Sequence, residues 1–315
     1  MQTAGIVFGQ VTIMFILIAI GMILVRKDII TKQIASGISN LLMVLILPTM
    51  IINSFQREFK IEELHGFLVA FGVAVFFHIM AILITYLFIP KKNGDSERVA
   101  VQRMASIYSN CGFMAFPILQ AVVGLDGIFY GSAFVAVFNI ALWTNGVCLL
   151  APGDKLSVRK AILNPGVISV LIGFGLYVFQ VPLPYVVSES ISMLASINTP
   201  FSMLITGVFL GRICWRKSLR DISLYKAGIL RIVLLPLLLL GVVTWCKIAV
   251  ISDTVQAAVI CTVICSACPS AASTILMVAR MGRDGEYGAE LVAISTFFSI
   301  FTLPLVTFLT SYFIG

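Results

Sequence analysis

Apolar residues fill the chain in ten runs, separated by charged and turn-forming residues. The runs lie near 5–25, 33–55, 66–89, 99–122, 126–150, 165–181, 188–210, 227–250, 254–279 and 287–312. Most reach the ~20 apolar residues that a helix needs to cross a bilayer. The pattern predicts an all-α integral membrane protein of ten transmembrane helices, spans 1 to 10. Composition points the same way, with 60% hydrophobic and 11% charged residues. Soluble domains carry about 45–50% and about 25%. A chain so poor in charge has no water-facing surface to offer, which excludes a soluble enzyme. Disorder is excluded by the excess of apolar residues. The first run has no Lys or Arg before it and is followed by Arg26 and Lys27. It therefore reads as a membrane span rather than a cleavable signal.

Lys and Arg alternate between successive connections. With Arg103 and Lys247, at the ends of spans 4 and 8, counted in the connections beside them, those after spans 1, 3, 5, 7 and 9 hold 17 of them, those after spans 2, 4, 6 and 8 hold 3, and Arg231 inside span 8 completes the 21. Short basic loops stay in the cytoplasm. This places the odd-numbered connections inside and both termini outside, as expected for a multi-pass protein of the cytoplasmic membrane. The net charge of +7 is thus topological, and no nucleic acid is needed to explain it. Seven cysteines lie mostly within apolar runs. Cys261, Cys265 and Cys268 share a helical face without a His or acid beside them, so they read as small packing residues.

The prolines repeat. Pro48 in span 2 and Pro117 in span 4 are 69 residues apart, as are Pro200 in span 7 and Pro269 in span 9, and a shift of 152 relates the two pairs. Five spans per half is an odd number, so two such halves enter the membrane from opposite sides. The predicted organisation is an inverted repeat: residues 1–150, a short cytoplasmic linker at 151–164, and residues 165–315. Inverted repeats are common among secondary transporters.

Spans 4 and 9 carry their prolines near mid-membrane, within Ser109-Asn110-Cys111-Gly112-Phe113…Pro117 and Cys265-Ser266-Ala267-Cys268-Pro269-Ser270. Proline removes a backbone donor and clashes with the carbonyl four residues earlier. Lipid cannot satisfy the freed groups, so each break must face protein or a polar cavity. Pro is well tolerated in the first helical turn, which predicts half-helix starts at Pro117 and Pro269. Two such positive ends meeting at mid-membrane form an anion site without a buried cation.

These stretches, with Gly124, Asn164-Pro165, Thr199-Pro200 and Leu303-Pro304-Leu305, resemble the auxin efflux carrier family over essentially the whole chain. The resemblance implies broken helices 4 and 9 crossing at the midplane, a scaffold of spans 1, 2, 6 and 7, and the remaining spans moving as an elevator-type transport unit. The plant exporters have a long hydrophilic loop between the halves. This chain has only a short connection there, as the bacterial members do, which implies malate- or malonate-like carboxylates rather than auxin.

The candidate anion site is Asn110 with Ser109, Gly112 and Pro117 on span 4, and Ser266, Pro269, Ser270 and Ser273 on span 9. Asn53 and Asn139 are candidate cavity groups, with interhelical hydrogen bonding as the alternative. His78 in span 3 is a candidate proton-coupling residue, balanced against a neutral core histidine; Glu290 in span 10 is a second. Arg231 is expected about one turn into span 8, snorkelling to the cytoplasm. Gly5, Gly9, Gly21 and Gly37 are expected to permit close helix packing. No mid-membrane carboxylate suits a cation antiporter, and no Walker loop, His-Glu-x-x-His motif or nucleophile triad is present, so neither a cofactor nor enzymatic chemistry is implied. Three alternatives stay open beside a carboxylate carrier coupled to protons or working as a uniporter. They are a sodium-coupled symporter of the bile-acid type, a passive anion channel, and a receptor without flux. A homodimer through the scaffold spans is compatible with all of them.

Overall fold

Span 1 forms α1 (Gln2–Arg26) and span 2 forms α2 (32–54), whose start Thr31 caps by accepting from the Ile34 N–H. The computed structural model describes residues 2–91, 96–150, 162–281 and 284–314, so most of the expected linker at 151–164 lies outside the described residues. After α3 (Ile61–Phe88), span 4 divides into α4 (Ser96–Ile107) and α5 (Cys111–Val123); α6 (Leu125–Leu150) follows. In the second half come α7 (Pro165–Val178), α8 (Tyr185–Gly211) and α9 (Ile222–Trp245). Span 9 divides into α10 (Asp253–Ala267) and α11 (Ala272–Arg280), and α12 (Gly285–Phe313) ends the described chain.

By length and composition, α1, α2, α3, α6, α8, α9 and α12 can each cross a membrane, and α5, α7 and α10 are shorter apolar helices. Large apolar side chains such as Leu83, Leu87, Leu171 and Phe301 stand exposed on these helices. A soluble monomer does not expose that much apolar surface; here it faces lipid. Side-chain oxygens cap several starts. Asn164 accepts from Gly166 N–H ahead of Pro165, Asp221 from Ser223 N–H, and Ser252 from Val255 N–H. Each satisfies one of the N–H groups a helix leaves free at its start.

Three of the four π-helical turns among the described residues precede a proline by two residues: Leu42–Ile46 before Pro48, Cys111–Ala115 before Pro117, and Leu230–Leu234 before Pro236. In each case the carbonyl four residues before the proline (Val44, Phe113 or Ile232) lies inside the wider turn. Widening the helix relieves the clash that would otherwise break it. This corrects the expectation for Pro117, which does not open its half-helix. The half-helix starts at Cys111, with Asn110 as its N-cap residue. Pro269 differs again, lying in the extended stretch between α10 and α11 rather than at a helix start. The two sequence-matched prolines therefore do different local work.

Glycine brings α1 and α8 into backbone contact. A Cβ on Gly21 would stand 2.1 Å from the Leu204 carbonyl oxygen, and one on Gly207 would stand 2.0 Å from that of Ile18. Gly5, Gly9 and Gly37 have open space where a Cβ would go, so of the four glycines expected to pack closely only Gly21 does.

Candidate functional site

The breaks in spans 4 and 9 meet each other. Ser109 and Ser270 form an antiparallel bridge, the one isolated β-pairing among the described residues. The Asn110 N–H donates to the Pro269 carbonyl at 2.7 Å, and the Ala271 N–H donates to the Tyr108 carbonyl at 2.9 Å. Two short extended strands thus satisfy backbone groups that lipid would leave bare. Ser270 adds its hydroxyl to the Ala105 carbonyl at 2.7 Å, while its N–H donates to the Ser295 Oγ at 3.1 Å.

Arg231 completes the crossing. Its side chain is fully buried. Nη1 donates to the carbonyls of Ser106 (3.1 Å) and Ile107 (2.9 Å), Nε to that of Cys268 (3.2 Å), and Nη2 to that of Ser266. These carbonyls belong to the last turn of α4, the last turn of α10 and the cap residue Cys268 that ends α10. A helix end carries four carbonyls without intrahelical donors and about −0.5 of a charge. One guanidinium, with five N–H groups in a planar fork, serves both ends and lies 5.4 Å from the Phe77 ring centroid. The snorkelling expectation for Arg231 is therefore wrong. Capping by Asp221 starts α9 at Ile222, and nine residues on, about 2.5 turns, Arg231 points inward to the crossing. The candidate anion site, expected to lack a buried cation, does have one beside it. Sequence reasoning missed this because an arginine's partners are set by where two distant segments break.

On the other side of the crossing strands lies a cavity of about 190 Å³. It is smaller than the roughly 300–1,000 Å³ of pockets for drug-sized ligands. Ser109, Asn110, Asn139, Ser273, Asn40 and Asn164 supply its polar lining, and Met43, Phe113, Trp143 and Met277 are among its apolar walls. No acidic or basic side chain is among the described lining residues. Both half-helix starts border it, through Cys111, Gly112 and Phe113 at α5 and through Ala271 and Ser273 at α11. The Asn110 Nδ2 and the Ser109 Oγ are buried without a hydrogen-bond partner.

Of the sequence candidates, the structure brings Ser109, Asn110, Gly112, Asn139 and Ser273 to this cavity. Pro117, Ser266, Pro269, Ser270 and Asn53 do not line it; Ser266, Pro269 and Ser270 instead build the crossing behind it. Asn40 was missed, being one polar residue in an amphipathic stretch, while Asn164 was noted only as part of a motif. The Asn139 Nδ2 donates to the Val135 carbonyl at 2.9 Å, within its own helix. His78 is buried, its Nδ1 2.8 Å from the Ala74 carbonyl and its ring 5.0 Å from that of Phe134, while its Nε2 has no partner. Glu290 is buried on α12, and neither it nor His78 lines the cavity.

Gly166 sits where the second half meets this wall. A Cβ there would lie 2.6 Å from the Asn139 Nδ2 and 3.1 Å from the Asn164 Oδ1. Gly166→Ala is expected to displace both amides, to raise the half-saturating concentration of substrate several-fold, and to cost about 0.5–2 kcal/mol of stability through the disturbed Asn164 cap. Uptake kinetics beside a thermal-unfolding measurement check this.

The chain matches the family described as "Membrane transport protein" over residues 6–158 and 154–307. It is a member of that family. The resemblance to auxin efflux carriers therefore stands. The chain is also 22% identical over 300 residues to a protein described as "Uncharacterized transporter" from Methanothermobacter thermautotrophicus, covering 92% of this chain and 94% of the relative. Two properties are established: the protein is a transporter, and it is a multi-pass membrane protein.

Proposed function

We propose that this transporter carries small organic anions, malate- or malonate-like carboxylates first, by alternating access. The observation that carries the reading is the unpartnered, buried amide nitrogen of Asn110 in a small cavity lined by donors and free of acidic side chains. A buried donor left without a partner costs about 1–3 kcal/mol, and a ligand oxygen that accepts from it removes this cost. The two helix starts add positive partial charge.

In this reading the protein has ten crossings in two inverted five-span halves, 1–150 and 165–315. The α4–α5 and α10–α11 pairs each count as one crossing, and they meet at the midplane. The helices α1, α2, α7 and α8 form the scaffold and the others move as an elevator. A cytoplasmic membrane with both termini outside is supported by the loop charges, and a homodimer through the scaffold fits the same plan. The cavity supports the division, because it lies between α2 and α7 on one side and α5, α6 and α11 on the other.

Uptake of labelled malate and malonate into proteoliposomes tests the function, first without a gradient and then with proton or sodium gradients. Saturable uptake is expected. Sodium-driven accumulation moves the assignment to a bile-acid-type symporter, and current without saturation or counterflow moves it to a channel. Coupling to protons assigns His78 a role at a distance, since it does not reach the cavity. His78→Gln is then expected to leave downhill exchange intact and abolish accumulation against a gradient; accumulation unchanged in the variant rejects His78.

A further inference from the structure

The electrostatics of the crossing say how much charge the cavity is built to take. Arg231 brings one full positive charge into a fully buried position. It is spent on the carbonyl ends of two helices, α4 through Ser106 and Ile107, and α10 through Ser266 and Cys268. Each such end amounts to about −0.5 of a charge, so guanidinium and helix ends cancel. The starts of α5 and α11, facing the cavity, each contribute about +0.5, leaving about +1 for a ligand. The α5 start is not the only sign of a ligand. Asn110 is 4% exposed and Ser109 fully buried, and both present unpartnered polar atoms beside the cavity they line. No Asp, Glu, His, Lys or Arg is among the described lining residues, so no other charged side chain on the wall shifts the balance.

We propose that the cavity is matched to a single negative charge, and that Arg231 is the positioning residue which sets this match by neutralising the two carbonyl ends behind it. The inference rests on the anion reading above and narrows it. A monocarboxylate enters as it is, whereas a dicarboxylate enters with one carboxyl protonated. Arg231 itself does not touch the ligand. A second full charge in a pocket of about 190 Å³ has no counter-charge, and an uncompensated buried carboxylate is costly.

A set of esters on one skeleton tests the charge directly. Malonate, monomethyl malonate and dimethyl malonate carry two, one and no charges at neutral pH, with acetate and lactate as further monoanions. Binding to the full-length protein in lipid nanodiscs is measured by thermal stabilisation and by competition. The expected order at neutral pH places the monoester at least tenfold tighter than malonate or the diester, and malonate gains as acid converts it to its monoanion. Malonate dianion binding as tightly as the monoester, without gain at low pH, overturns the proposal while leaving the anion reading intact. A diester that binds best, or no binding by any of the five, overturns both.

Arg231 is tested by the order of preference rather than by affinity, because a ratio between esters is insensitive to a general loss of stability. Arg231→Lys keeps the charge and is expected to keep the monoester preference at lower affinity. Arg231→Gln leaves the carbonyl ends uncompensated and is expected to move the preference to the neutral diester. An unchanged ratio in Arg231→Gln rejects the role given to Arg231. Should the glutamine variant not fold, a monoester preference lost in Arg231→Lys rejects it instead.

Discussion

Asn110→Ala is expected to abolish carboxylate uptake and to leave the folded protein as stable as the parent or slightly more stable. The two effects have opposite origins. In the free protein the Asn110 Nδ2 is buried without a partner, a state that costs about 1–3 kcal/mol. Removing the amide removes that cost, partly offset by the small void it leaves. The crossing survives, because the bond from residue 110 to the Pro269 carbonyl comes from the main chain. With substrate bound the balance reverses: a hydrogen bond to a charged group contributes about 1.5–3 kcal/mol, roughly a ten- to hundredfold change in affinity. Uptake in proteoliposomes and thermal unfolding of the same preparation give both signs at once. An undiminished rate takes Asn110 out of the site. Asn110→Asp, which sets a carboxylate against the anion, is expected to be at least as damaging.

Gly207→Leu is expected to prevent folding. The hydrogen it replaces points at the main chain of α1, where a Cβ would lie 2.0 Å from the Ile18 oxygen and 3.0 Å from the Gly21 Cα. Backbone cannot rotate out of the way as a side-chain end does. The helices must separate, and the packing along α1 and α8 is lost with them. A penalty above about 4–5 kcal/mol belongs to the exceptional class of single substitutions. Even Gly207→Ala meets the clash, since the Cβ alone produces it. Gly9→Ala is the matched control: the same type of change on α1, into open space, with a gain in helix propensity of up to about 1 kcal/mol. Size-exclusion profiles and unfolding temperatures should separate the two sites cleanly; a well-folded Gly207→Leu protein would overturn the close approach.

Much of this arrangement was legible along the chain, and the exceptions have physical causes. The runs at 66–89 and 126–150 became single helices because continuous apolar sequence in lipid has one way to satisfy its own backbone. The break in span 9 was readable from Cys268-Pro269-Ser270, where an extended stretch is observed. The break in span 4 was misplaced, because a proline predicts a disturbed helix without saying whether the chain breaks or widens. At Pro117 it widens into the π turn Cys111–Ala115, and the true break lies at Tyr108 to Asn110. Asn110 and Ser109 were nevertheless found, since polar residues in an apolar span are few.

The four glycines show the same limit. Gly5, Gly9, Gly21 and Gly37 look alike in sequence, yet only Gly21 meets a second backbone. Helical phase places a glycine on one face of its own helix, and which neighbour covers that face is a property of the whole fold.

The sequence by itself determined the membrane class, the apolar segments and the polar residues available for a site. Each follows from local rules: hydrophobic length, and the need of every segment in lipid to satisfy its own backbone. Only the tertiary structure decided which of those residues share a cavity and what Arg231 does. A guanidinium seeks free carbonyls, and the carbonyls of Ser106, Ile107, Ser266 and Cys268 come from two segments some 160 residues apart. They become one acceptor site only where those segments cross.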